Sequence, residues 1–320
     1  MRRSPAWASR PPASWRMRAE RRMPAPLHTP YDGSSKPFTL ALSALDPADW
    51  IEVDDRLAAQ LGEKDHLFAE QHARVFQAEA GSVEAQAEVL DMLLDYLPQA
   101  YPALYGRDGD GIAIKPTGRT YARADYAARP LELAARLVQD DLVLMHKENG
   151  EHRLIAAALC FPSSWSLAEK FGKPMADIHG PVPGFGRGGR TAERIERVFS
   201  NLKPDQPVQR FNWSLYDSPD LFYPERSHTK SGLFDEAGTP NIWLRVERQT
   251  LRRMPVSGAI LFTIKICVDP LGALRDHADG ARLAEGLKTL IEELDADQTA
   301  YKGLTGQRAH VVAALRELVP

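Results

Sequence analysis

The sequence predicts an α+β fold: an antiparallel β-sheet with flanking helices and an N-terminal helical extension. Three observations carry the α+β part of this expectation. Strand-like runs stand next to one another and are joined by turn residues, as in "DLVLMHKENGEHRLIAAALCFP", which marks hairpins. Helical runs gather in the N-terminal third and at the C-terminal end. No regular βαβ alternation is present, so parallel-sheet architectures are disfavoured.

The opening segment "MRRSPAWASRPPASWRMRAERRM" is rich in Arg, Pro, Ser and Ala and has no periodicity. Such a stretch buries too little apolar surface to offset its ordering, and it lacks the apolar core of a secretion signal. Residues 1–36 are expected to be a disordered tail, with Met17 or Met23 as an alternative start, and residues 37–320 a single domain. The globular chain should begin near "LHTPYDGSSKPF".

Helices are expected over "DDRLAAQL" and "KDHLFAEQHARVFQAEAG", the second closed by Gly81. Ser82 should cap "VEAQAEVLDMLLDYLP", in which Leu90, Leu93, Leu94 and Leu97 share one face and Pro98 ends the helix. "GIAIKP" and "TYARADY" read as short strands. The Asn149-Gly150 pair inside "KENGE" predicts a tight hairpin turn. "SLAEKFG" and "RTAERIERVFSNL" read as helices, and "PVQRFNWSLYD" alternates like a strand. "NIWLRVERQTLRRMP" and "SGAILFTIKICV" make another strand pair. "ARLAEGLKTLIEELDAD" is an amphipathic helix with Leu283, Leu287, Leu290, Ile291 and Leu294 on one side, and "RAHVVAALREL" a last helix.

Bulk properties exclude several classes. A formal net charge of −3 gives no basic field for nucleic acid. Two cysteines, Cys160 and Cys267, sit apart in apolar runs, which argues against a disulfide framework or a zinc knuckle and for reduced thiols. No apolar run approaches the roughly 20 residues of a membrane span. A cytoplasmic location is expected. The glycine-rich "GFGRGG" lacks the preceding strand that a nucleotide-binding loop needs.

Nine histidines form no dense ligand cluster, so a protein-only zinc site would have to gather ligands from distant segments. Heme asks less, because the porphyrin supplies four nitrogens and one imidazole completes the site. His179 in "DIHGPVPG" meets that demand: Pro181 and Pro183 fix the backbone, while Gly180 and Gly184 permit close approach of a flat group. Capping a turn by hydrogen bonding is the alternative use of the same ring. Alternation places Arg210 and Asn212 on one strand face, opposite Phe211, Trp213 and Leu215. In "LRVERQTLRRM" it groups Arg245, Glu247 and Gln249 opposite Val246. Charged residues on an inner sheet face need partners or a ligand. Arg210, Arg245, Arg248 and Arg252 would suit heme propionates. Glu247, the acid of that basic stretch, would hold an ammonium. Cross-strand salt bridges on a solvated face are the alternative.

The ordered set "RADYAARPLELAARLVQDDLVLM", "CFPSSW", "EKFGKPMADIHGPVPG", "PVQRFNWSL" and "LRVERQTLRRMPVSGAILFTI" resembles the heme-dependent oxidative N-demethylase family over roughly Pro37 to Val268. The resemblance implies a PAS-like sheet holding a b-type heme, with a histidine at the position of His179. It implies oxidative removal of a methyl group from a secondary amine such as dimethylamine, using O₂ and electrons from an external flavin and iron–sulfur reductase. Neither a flavin motif nor a cysteine cluster occurs here, so the reductase would be a separate partner. A non-catalytic heme- or small-ligand-binding PAS-like sensor or carrier is the alternative reading.

Overall fold

The computed structural model describes residues 25–225 and 230–318. The expected tail therefore lies outside the described residues up to position 24. Within the described residues that follow, the chain is soon packed: Tyr31 is fully buried among the apolar side chains of the C-terminal helices, so the ordered chain starts before residue 37.

The architecture is α+β. A seven-stranded antiparallel sheet is built from β1 (Ser43–Ala44), β2 (Phe76–Ala78), β6 (Asp141–Glu148), β7 (Glu151–Ala158), β8 (Val208–Tyr216), β9 (Trp243–Arg253) and β10 (Ile260–Pro270). Its order is β1-β8-β9-β10-β6-β7-β2. Counting only the five long central strands in chain order, the arrangement is 3-4-5-1-2. A smaller sheet joins β3 (Tyr105–Asp108), β4 (Gly111–Ile114) and β5 (Arg119–Tyr121). Both predicted hairpins form. Asn149 (φ 50°) and Gly150 (φ 87°) take the left-handed turn that joins β6 to β7, and β9 pairs with β10 from Trp243↔Pro270 to Arg253↔Ile260.

One face of the sheet is covered by α1 (Leu57–Glu70), α3 (Val83–Ala100) and α4 (Pro130–Leu137). Toward β8 the sheet meets α8 (Gly280–Glu292) and α10 (Arg308–Leu318), which are connected by α9 (Ala296–Tyr301). The opposite face is roofed by the segment between β7 and β8: α5 (Leu167–Lys170), α6 (Met175–Ile178) and α7 (Arg190–Asn201).

Several expectations at the N-terminal end are corrected. "DDRLAAQL" and "KDHLF" belong to one helix, α1. The predicted helix over "ARVFQAEAG" breaks at Gln71 (φ −136°), leaving the single turn α2 (His72–Val75), after which the chain turns extended as β2. β2 adds to the edge of β7 through Phe76↔Ala158, so pairing with an existing strand outweighs local helical preference. Gly81 lies in a 3₁₀ turn, and Ser82 makes no side-chain cap to the helix backbone; its hydroxyl donates to the Glu79 carbonyl. Pro98 sits inside the last turn of α3, which runs on to Ala100. "RADY" of the predicted strand "TYARADY" is a 3₁₀ turn.

Candidate functional site

Period-2 alternation decides which strand residues face the roof. Register pairs Arg210 with Gln249 and Asn212 with Glu247, and Gln249 and Leu251 with Ile264 and Phe262 of β10. These side chains form the floor of a cleft between the sheet and the α5–α7 roof, which includes His179, Val182 and Phe185. Its empty space, open mouth included, is about 1570 Å³. The floor changes character across the sheet. β6, β7 and β10 contribute Val143, Met145, Leu154, Phe262 and Ile264, while β8 and β9 contribute Arg210, Asn212, Tyr216, Glu247 and Gln249.

His179 stands at the C-terminal end of α6, its backbone N–H donating to the Met175 carbonyl at 3.0 Å. Its ring packs against Phe185 with centroids 5.9 Å apart. Nδ1 is buried and has no hydrogen-bond partner among the described residues. Burial, with smaller contributions from the Lys170 and Arg210 charges, pushes its pKa down to about 4. The ring is therefore a neutral imidazole with nitrogen capacity left for a ligand. The Met175 carbonyl acts on the ring in the opposite sense, raising its pKa by less than burial lowers it. A neutral, sterically fixed imidazole on the wall of a large, mostly apolar cleft fits a heme iron.

Glu247 is nearly enclosed, 9% exposed. Gln249 Nε2 and Asn212 Nδ2 donate to its Oε2 at 2.6 and 3.3 Å. Both amides converge on one oxygen, so Oε1 carries no side-chain donor among the described residues. Arg210 donates to the Thr39 carbonyl, its Nε is buried without a partner among the described residues, and burial lowers its pKa. Four basic side chains, Lys170, Arg210, Lys230 and Lys302, line the cleft with one acid, Glu247. Such a balance suits a ligand with two carboxylates.

His179, Arg210, Asn212 and Glu247 thus come together as the sequence suggested; three other arginines do not. Arg245 is buried away from the cleft lining. Its guanidinium donates to the Phe161, Pro162, Asp220 and Leu221 carbonyls and to Ser163 Oγ, which commits most of its donors to holding loops. Arg248 and Arg252 point to the opposite face, because an odd step along β9 reverses direction relative to Glu247. Arg248 donates to the Asp49 and Trp50 carbonyls, and Arg252 stacks over the Trp50 ring. These three are corrected from propionate partners to structural residues.

Sequence reasoning missed Lys230 and Lys302, because a lysine in a polar loop has no distinguishing pattern. It also missed Tyr216, whose hydroxyl is 2.9 Å from Ser164 Oγ and whose pKa burial raises to about 12. Both cysteines are buried and unpaired, as expected. Elsewhere, His28, Glu52 and Cys267 lie with ligand-type atoms within 4.8 Å of one another. Lys265 Nζ, 3.1 Å from Glu52 Oε1, already supplies positive charge there. Among the described residues no helix is long and apolar enough to cross a membrane.

The family described as "Haem-dependent oxidative N-demethylase, alpha subunit-like" matches residues 41–312, a span that contains every strand, the roof and each residue of the cleft floor.

Proposed function

The chain belongs to the haem-dependent oxidative N-demethylase alpha-subunit-like family, and from that premise we propose that the cleft binds a b-type heme through His179 and oxidatively removes a methyl group from a small secondary amine such as dimethylamine. The observation that carries this reading is the buried Nδ1 of a neutral His179, without a hydrogen-bond partner among the described residues, on the wall of an open, largely apolar cleft. Iron would accept one imidazole nitrogen, and Arg210 with the cleft lysines would meet the propionates. An antiparallel sheet whose first hairpin and last hairpin lie side by side, with helices inserted between the second and third long strands, supports the PAS-like description.

Bound heme supplies the redox chemistry that oxidises the C–H bond beside nitrogen. Each methyl group leaving as formaldehyde consumes one O₂, two electrons and two protons and yields one water; a separate flavin and iron–sulfur reductase would deliver the electrons. The chain's own residues bind and orient. Glu247, its Oε2 held by Asn212 and Gln249, presents Oε1 to a protonated amine through a charge-assisted hydrogen bond. The apolar wall of Val143, Met145, Leu154 and Phe262 excludes water from the methyl group. Asn212 and Gln249 fix the carboxylate's direction, so the amine enters in one orientation.

Absorbance of the purified protein, oxidised and reduced, tests the cofactor, and formaldehyde release from dimethylamine with a reductant tests the activity. His179→Ala should abolish the Soret band. An unchanged spectrum would assign the iron to another residue, and heme without turnover would favour the sensor or carrier reading.

A further inference from the structure

We propose that Lys230 and Lys302 form a carboxylate-binding subsite at the β8 end of the cleft, and that it receives either a heme propionate or the carboxylate of an N-methyl amino acid substrate. The proposal deepens the N-demethylase reading and rests on it.

Two separate segments bring these lysines together. Lys302 is the residue closing α9, and Lys230 lies beyond β8; the Lys230 backbone N–H donates to the carbonyl of Gly303 at 3.0 Å, tying the segments side by side. Each lysine is 4% exposed, and each lines the cleft. Lys302 Nζ donates to the Trp213 carbonyl at 2.6 Å and Lys230 Nζ to the Leu215 carbonyl at 2.5 Å. Those are carbonyls two residues apart on β8. An ammonium has three N–H donors, so one carbonyl leaves most of its capacity for a ligand. Aromatic faces steer both cations: Lys230 Nζ is 3.6 Å from the Tyr216 ring centre, and Lys302 Nζ is 4.3 Å from that of Trp213 and 5.3 Å from that of Phe38. A ring face attracts a cation without neutralising it.

Neither lysine makes an ion pair with an acid among the described residues. Asp217 and Arg245 act on Lys230 from a distance, and Glu247 and Arg210 on Lys302; Lys302 also repels Lys230. Burial outweighs these charges and lowers both pKa values to about 7. Two buried amines side by side without an acid are costly unless an anion visits them. A carboxylate would raise both pKa values again, so its binding at pH 7.5 must take up protons. The amines also cap the edge of β8 beyond its pairing with β1, but capping uses one N–H each and needs no charge, and a glutamine can replace it.

The test compares wild type with Lys230→Gln and Lys302→Gln, each checked for an unchanged circular dichroism spectrum and thermal midpoint, with Lys→Arg at both positions as charge-retaining controls. Calorimetry at pH 7.5 in two buffers of different ionisation enthalpy measures N-methylglycine and dimethylamine binding to the protein as purified. In parallel, absorbance titration measures heme affinity. If the substrate supplies the carboxylate, N-methylglycine binds with proton uptake. Each Gln variant then weakens it about tenfold while dimethylamine binding stays within about twofold. If heme supplies it, heme affinity falls about tenfold in the Gln variants, the Soret position is kept, and Arg restores affinity. Well-folded Gln variants that alter neither affinity overturn the proposal and leave the lysines as edge caps. Failure of the wild type to take up heme instead sinks the N-demethylase reading, and proton-coupled binding of N-methylglycine still decides the subsite.

Discussion

His179 is kept neutral by its surroundings, and that has a consequence for stability. Its pKa falls from 6.5 to about 4 on folding, so in acid the unfolded chain binds the proton first. The stability gained by keeping the ring neutral is complete above about pH 6.5. It is lost as pH falls from there to about 4, by about 3 kcal/mol in all at 1.36 kcal/mol per unit. Urea unfolding of heme-free protein at pH 7 and pH 4.5 should show this loss, and His179→Gln should reduce it. At Glu247 the expectation concerns binding: Glu247→Gln should raise the KM for the amine about 10- to 100-fold, the range of one charge-assisted bond, and leave the heme spectrum unchanged. Loss of the spectrum would instead give Glu247 a role in holding heme. The floor residues were legible because alternation along a strand assigns faces, and Arg210, Asn212 and Glu247 share one. The same parity already separates Arg248 and Arg252 from Glu247; grouping them by closeness along the chain is what misplaced them. Arg245 has the right parity and the wrong neighbours, since loop carbonyls from Phe161 to Leu221 converge on it and only the tertiary fold brings them there.

Among the elements, hairpins and long amphipathic helices were the readable parts, since turn chemistry and periodicity are local. The Asn149-Gly150 turn is the clearest example, and Gly150→Ala, at φ 87°, should lower stability by about 1–2 kcal/mol, measured from the denaturant midpoint. Short edge strands were not readable. β2 is three residues of a helix-like run, made a strand by the exposed edge of β7. Helix α8 holds a second lesson. Gly286 lies in its interior, where alanine ordinarily adds helix stability. Here a Cβ at that position would collide with the backbone of Asp32 and Gly33. Gly286→Ala should therefore destabilise the protein and expose the segment around Tyr31 to limited proteolysis; a raised midpoint would show that the segment is not held against α8.

At the scale of the whole molecule, the N-terminal helices and the sheet are fastened through a buried ion pair. Lys64 of α1 lies 3.7 Å from Asp141 at the start of β6, both fully buried. Asp141 also accepts the N–H groups of Cys160 and Phe161 at 2.8 and 2.7 Å. Lys64→Met would leave that carboxylate without its cation and should cost about 3–5 kcal/mol at pH 7, seen as a lower thermal midpoint. The loss should shrink toward pH 5, because Asp141, whose pKa burial raises to about 6, then takes up a proton. The large sheet is also finished at both ends by very short strands, the two residues of β1 and the three of β2, and beyond β1 the Lys302 and Lys230 amines occupy the outward carbonyls of Trp213 and Leu215. Among the described residues, a second copy therefore finds no long, unguarded ribbon of this sheet on which to lay a strand of its own. Concentrated solutions of this protein should resist growth of cross-β filaments, and a variant stripped of both amines should be the first to seed them.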